Sequence, residues 1–319
     1  MAAVRKIQFP KLPVLASPEL DMARLRFAAW WDGAEFDEAA ARAQIAAWQN
    51  ERAMIKAGEI EPPRTPRLAA LEVVWGENRI AMGDAEEEAA AVALLGLQPD
   101  QSILLFGGGI GEPAVELARA SQLAVSMYEW RPGCVAAAQN RLARLGLNAK
   151  ARAQQVEPEA AALPDVAFDA AWSRDELTFV FDKRRLIRRV GAALKPGGVW
   201  LVDELVGDKR ACGDSAFAAA WSDPHLWRSE ELLAAFQERG LALESEADTT
   251  PMALKSLKAA VDRIEDRINF ALQRAKDTGF GPAMLRELAW EAETIKARER
   301  AFAAGAMARV RYLLRKPAA

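Results

Sequence analysis

Few residues in this chain could do chemistry by themselves. Among 319 residues there is one histidine, His225, and there are two cysteines, Cys134 and Cys212. A Ser-His-Asp mechanism would rest on that single imidazole, and a zinc or non-haem iron centre would lack ligands, so no metal site is expected. The cysteines have no CxxC spacing, which suggests a reducing compartment and no disulfide scaffold. One constellation stands out: Gly107, Gly109 and Gly111 in GxGxG spacing, with Glu129 eighteen positions after Gly111. Glycines between a strand and a helix let the backbone approach a ligand, and the helix N-terminus favours its negative groups. An acid ending the next strand of an open α/β sheet meets ribose hydroxyls. The pattern points to a nucleoside-bearing ligand that brings its own reactive group. Glu112 stands where a dinucleotide fingerprint wants its third glycine, which disfavours a dehydrogenase.

Hydrophobic residues make up 51% and charged residues 27%, the balance of a globular chain with a real core. The net charge of −3 advertises no nucleic-acid binding. No apolar leader and no run of roughly 18 apolar residues is seen, so no membrane span and a cytoplasmic location are expected. Residues 1–95 read as an N-terminal helical region, with apolar spacing over 21–31 and 36–57 that includes Trp48 and Met54. Pro62, Pro63 and Pro66 read as a stiff linker. A helix over 85–96 has Asp84 as N-cap and Glu86 and Glu87 in its first turn.

From residue 96 onward strands and helices alternate. Strands are expected at 102–106, 123–128, 150–156, 168–173, 199–206 and 241–247, and a last one at 309–315. Such alternation implies a parallel, doubly wound sheet. Two long helices, 252–276 and 282–304, come before the final strand. Leu254, Leu257, Val261, Ile264, Ile268 and Ala271 could form a coiled-coil seam or pack the first of them on its own domain.

The chain resembles the class I S-adenosylmethionine-dependent methyltransferases over about residues 75–250. Ile103–Gly111 resembles the glycine-rich first motif, and Glu129 matches the acid that holds the ribose, with Trp130 beside it. The segment from Glu157 and Pro158 to Asp169 looks like the region flanking the adenine. Leu194-Lys195-Pro196-Gly197-Gly198 resembles the turn before strand five. The resemblance implies S-adenosylmethionine as cofactor and a Rossmann-like, doubly wound, seven-stranded sheet whose last strand is antiparallel. The methyltransferase domain would then span 96–319, with a helical insertion at 252–304. Trp75-Gly76-Glu77-Asn78 and Ser173-Arg174-Asp175 are similar to segments of phosphoethanolamine-type and related small-molecule N-methyltransferases, whose inserted helices form a lid over the substrate. The resemblance thus places Ser173 and Asp175 near the methyl group.

Two positions depart from the family pattern. Leu105 stands where an acid is usual two residues before the first glycine. Phe179 stands where the phosphoethanolamine-type enzymes place a histidine. Methyl transfer needs alignment and water exclusion more than acid–base machinery, so a scarcity of histidine is compatible with it. A hydroxyl acceptor would need a base, for which Asp175 and His225 are candidates. His225 is otherwise a loop histidine with packing neighbours. Trp75, Trp221 and Trp227 could wall a cationic or planar substrate, or belong to the core. The alternative to a small-molecule methyltransferase is a non-catalytic relative acting as a regulatory or scaffold partner, and a homodimer is a possible assembly.

Overall fold

The computed structural model describes residues 18–31, 33–43, 45–46, 49, 65–120, 122–208, 225–277 and 281–318. Most of the expected helix over 36–57, the Pro62-Pro63 linker, Cys212 and Trp221 lie outside the described residues, as do the side chains of Ile268 and Ala271. The chain divides into two compact units, Met1–Pro63 and Arg64–Ala319. In the first, α1 (Pro18–Trp31) carries Phe27 and Trp30, whose ring centroids lie 5.7 Å apart.

The second unit is built on seven strands: β1 (Ser102–Phe106), β2 (Ala124–Glu129), β3 (Ala151–Gln155), β4 (Phe168–Arg174), β5 (Leu194–Gly207), β6 (Ala242–Asp248) and β7 (Met307–Arg315). Their order in the sheet is β3-β2-β1-β4-β5-β7-β6. The pairs from β3 to β5 are parallel, whereas β7 runs antiparallel between β5 and β6. This is the expected doubly wound sheet with an antiparallel last strand. Short apolar runs make the central strands: Ile103, Leu104, Leu105 and Phe106 are all buried, as strands covered on both faces require. The edge strand β6 is exposed throughout, and Glu244, Glu246 and Asp248 along it discourage pairing with another edge.

Eight helices are described in this unit. They are α2 (Pro66–Trp75), α3 (Ala85–Leu95), α4 (Glu112–Ala120), α5 (Pro132–Arg144), α6 (Lys183–Ala193), α7 (Ser229–Gln237), α8 (Thr250–Asp277) and α9 (Gly281–Ala303). No helix among the described residues is long and apolar enough to cross a membrane. The capping of α3 is as expected, with Asp84 Oδ1 accepting from the Glu87 amide at 2.9 Å. The sequence reading gave no helix at α2. Pro66 occupies its first turn, and Thr65 Oγ1 caps it by accepting from the Leu68 amide at 3.2 Å. The proline that reads as a linker is therefore a helix start.

The described half of α8 packs within its own unit. Leu257 and Ala260 are buried in one apolar cluster with Leu68, Val74 and Trp75 of α2 and Met284 and Ile295 of α9, while Leu254 remains exposed. Two further clusters fill the two faces of the sheet.

Candidate functional site

The strand order reverses between β1 and β4, so the loops leaving their carboxyl ends diverge and open a crevice. A cavity of about 500 Å³ lies there. Its floor is the glycine loop at residues 107–110, and its far wall comes from α2 and α9, through Trp75, Glu291 and Arg298.

The glycine loop has a shape that side chains would destroy. Gly107 has φ +77° and Gly111 has φ +93°, both in the left-handed region that favours glycine. A Cβ on Gly107 would lie 1.8 Å from Cγ of Glu176, and one on Gly111 would lie 3.0 Å from Cβ of Ala138 in α5. The loop is thus a backbone cradle, with α4 starting at its end.

Glu129 ends β2 and turns back to this loop. Its Oε2 accepts from the Gly109 amide at 3.0 Å, and its Oε1 accepts from the Arg131 amide at 2.9 Å. The Arg131 side chain also donates to both oxygens, Nε at 2.7 Å and Nη2 at 2.8 Å. Glu129 is consequently 0% exposed, and it is Arg131 that faces the cavity. Across the loop Glu176 accepts from Arg131 Nη2 at 3.1 Å and from Trp130 Nε1 at 3.0 Å. Burial pushes the Glu176 carboxyl well above the usual range, more than the neighbouring guanidinium pulls it down.

The turn that carries Glu176 is pinned from below. Glu204 on β5 accepts from the Leu177 and Thr178 amides at 2.7 and 3.2 Å. Asp175 lines the cavity, has φ +54° and gives Oδ1 to Arg309 Nε at 3.0 Å. Its Oδ2 makes no hydrogen bond, and burial raises its pKa despite Arg309.

Two triads of charge complete the walls. Glu88 of α3 accepts from both terminal nitrogens of Arg79, at 2.8 and 3.1 Å, and from Arg174 Nη1 at 2.7 Å. Glu291 of α9 accepts from Arg67 Nη2 at 2.6 Å, Arg298 Nη2 at 2.9 Å and Trp75 Nε1 at 3.1 Å. Burial alone would raise the Glu291 pKa, but Arg298 and Arg67 together hold it below the ordinary carboxylate value. A carboxyl lowered in this way stabilises the fold above its unfolded pKa and loses that contribution as pH falls through its folded one. Glu291→Gln should therefore melt earlier at neutral pH and lose less stability than the parent between about pH 5 and pH 3. Thermal melts at both ends of that window check this, and an unchanged acid limb would contradict it.

Of the sequence-predicted site residues, the structure brings Gly107, Gly109, Trp130, Asp175, Trp75 and Asn78 to one cavity. Gly111 closes the loop beneath it, and Glu129 lies under Arg131. Trp221 lies outside the described residues, and the other described ones do not line the cavity. Ser173 is buried, its hydroxyl accepting from Trp200 Nε1 at 3.0 Å. Glu157 and Pro158 begin a short 3-10 turn after β3, and Glu77 is exposed. The His225 amide donates to Thr178 O at 2.7 Å and its ring stands edge-on to Phe181. Trp227 lies under Lys183 and Arg184.

Sequence reasoning missed Arg131, Glu176, Arg67, Arg79, Glu88, Glu291 and Arg298. A signal existed for Arg131 and Glu176, which follow the carboxyl ends of β2 and β4 where such sheets open. Cys134 also lines the cavity, and burial pushes its thiol up to about 12.

Residues 103–198 match the family of methyltransferase domains. The chain is 24% identical to a 27-O-demethylrifamycin SV methyltransferase of Amycolatopsis mediterranei (strain S699), over 70% of its own length and 88% of that enzyme's. It is 27% identical to phosphoethanolamine N-methyltransferase 3 of Arabidopsis thaliana, over 61% of its own length and 39% of the plant protein's. A solved structure of Haemonchus contortus phosphoethanolamine N-methyltransferase 2, in complex with S-adenosyl-L-methionine, superposes with a TM-score of 0.70 at 21% identity. It covers 83% of this chain and 60% of that one. These similarities place the domain's glycine loop in a fold shared with enzymes of unlike acceptors.

Proposed function

We propose that the methyltransferase domain moves a methyl group from S-adenosylmethionine to a small polar acceptor. The observation that carries this reading is the continuity of the cavity. One chamber runs from the glycine cradle to the charged and aromatic wall at Trp75, Glu291 and Arg298, so donor and acceptor can meet inside it.

The cradle fits a nucleoside cofactor with an amino-acid tail. Gly107, Gly109 and Gly111 add no side chains of their own to the floor, and Glu129 is the acid for the ribose hydroxyls. Trp130 lies beside it. When bound, S-adenosylmethionine supplies a methyl group activated by a sulfonium. The chain then has to align the acceptor and exclude water, the two effects by which a site of this kind accelerates displacement.

Trp75 and Asn78 from the α2 side, with the α9 residues Glu291 and Arg298, form the acceptor end. Asp175 lines the chamber with its Oδ2 free of hydrogen bonds, and its carboxylate takes a proton where the acceptor has one to lose. His225 and Trp227 have no part in this arrangement. Calorimetric titration of the full chain with S-adenosylmethionine and S-adenosylhomocysteine tests the reading. Micromolar binding of both is expected, and no heat from either at millimolar concentration would sink it.

A further inference from the structure

Glu129 and Glu176 approach the glycine loop from opposite sides, one at the end of β2 and the other two residues beyond β4. A single guanidinium, that of Arg131, bridges them. Two carboxylates thus share one internal cation at the floor of the cavity. Both are nearly inaccessible, at 0% and 5% exposed, whereas the Arg131 side chain is 31% exposed. Glu176 also lies directly on Gly107, the first glycine of the cradle. Leu105, at the end of β1, is buried in the apolar core and offers no charge here.

A buried carboxylate stripped of its partner is strongly unfavourable. Arg131 can leave this corner only if another donor takes its place. A nucleoside with an amino-acid tail has the matching set: hydroxyls for Glu129 and an ammonium for Glu176. Resting on the cofactor reading above, we infer that Glu176 is the receptor for the cofactor's ammonium group, and that Arg131 is an internal cation holding that position until the ligand exchanges with it. Exchange uncovers Glu129 in the same movement, so ribose and ammonium recognition open together.

The test compares two ligands that differ only at the tail. S-adenosylhomocysteine carries the ammonium, and 5′-methylthioadenosine keeps the nucleoside and thioether without the amino acid. Titration calorimetry on the parent chain, Glu176→Gln and Arg131→Ala should separate them. Glu176→Gln should weaken S-adenosylhomocysteine about ten- to hundredfold and leave methylthioadenosine within about twofold. Arg131→Ala should bind S-adenosylhomocysteine several-fold more tightly, since no internal cation has to be displaced. Equal weakening of both ligands by Glu176→Gln, or none of either, would overturn the assignment. So would weaker S-adenosylhomocysteine binding by Arg131→Ala. Should Glu176→Gln fail to fold, Glu176→Asp keeps the charge on a shorter arm and should still weaken S-adenosylhomocysteine selectively. A parent chain that binds neither nucleoside overturns the cofactor reading itself, an outcome distinct from selective failure at Glu176.

Discussion

Arg309→Met should destabilise the second unit by about 3–5 kcal/mol, the usual consequence of removing one partner from a buried ion pair. Arg309, near the start of β7, is 0% exposed. It donates to Asp175 at 3.0 Å and pairs with Glu87 of α3. Two residues on, Arg311 pairs with Asp203 at 2.6 Å and stands 3.7 Å from Glu87, so Glu87 keeps one cation at longer range while Asp175 loses its own. The variant therefore buries the Asp175 carboxylate without its ion-pair partner and leaves Glu87 with only the longer contact to Arg311. For a unit of this size the melting temperature should fall by roughly 10 °C. The loss should shrink on acidification, as protonation relieves Asp175, whose carboxyl burial raises. Arg309→Lys should recover less than half, because an ammonium lacks the planar fork that reaches two carboxylates. A thermal melt showing less than about 1 kcal/mol of loss would contradict the role given to this residue.

Glu129→Gln should weaken S-adenosylhomocysteine by about a hundredfold, since hydrogen bonds to a charged acceptor contribute roughly 1.5–3 kcal/mol each. Methyl transfer should fall at least as far. The amide can still accept from the Gly109 N–H, so the loop should hold and the fold should melt within a few degrees of the parent. This variant also discriminates the two functional classes. If transfer is measured for the parent and vanishes in a folded Glu129→Gln, a purely scaffolding role is excluded. If binding is unchanged, the assignment of Glu129 to the ribose fails.

The sheet and the cradle were legible because their signals are local. Ser102–Phe106 is an apolar run, the glycines mark a turn, and Glu129 closes the next strand. Helix α2 was hidden because a cluster of prolines reads as a linker until Thr65 is recognised as a cap. The charged walls were hidden for a different reason. Glu291 and Arg298 sit seven residues apart on a helix whose exposed face is also charged, and only packing against α2 shows which charges turn inward. Arg309 and Arg311 alternate with Val310 and Tyr312, a pattern that fits a strand with one wet face. Here that face is covered by α3, whose Glu87 supplies the neutralising partner. His225 drew attention by being the only histidine, but rarity in composition says nothing of position.

The placement of β7 has a consequence for how the protein is made. It is the last of the seven strands in chain order, yet it fills the slot between β5 and β6. Until it emerges from the ribosome, β5 has an open edge, and Glu87, Asp175 and Asp203 have no arginine from β7 to offset them. Mutual repulsion of these acids should keep the sheet from closing early, and insertion of β7 supplies the pairing and the counter-charge in one event. Long-range closure of this kind is slow relative to local helix formation. The nascent chain thus has a window in which the largely apolar edge of β5 is unpaired and open to self-association.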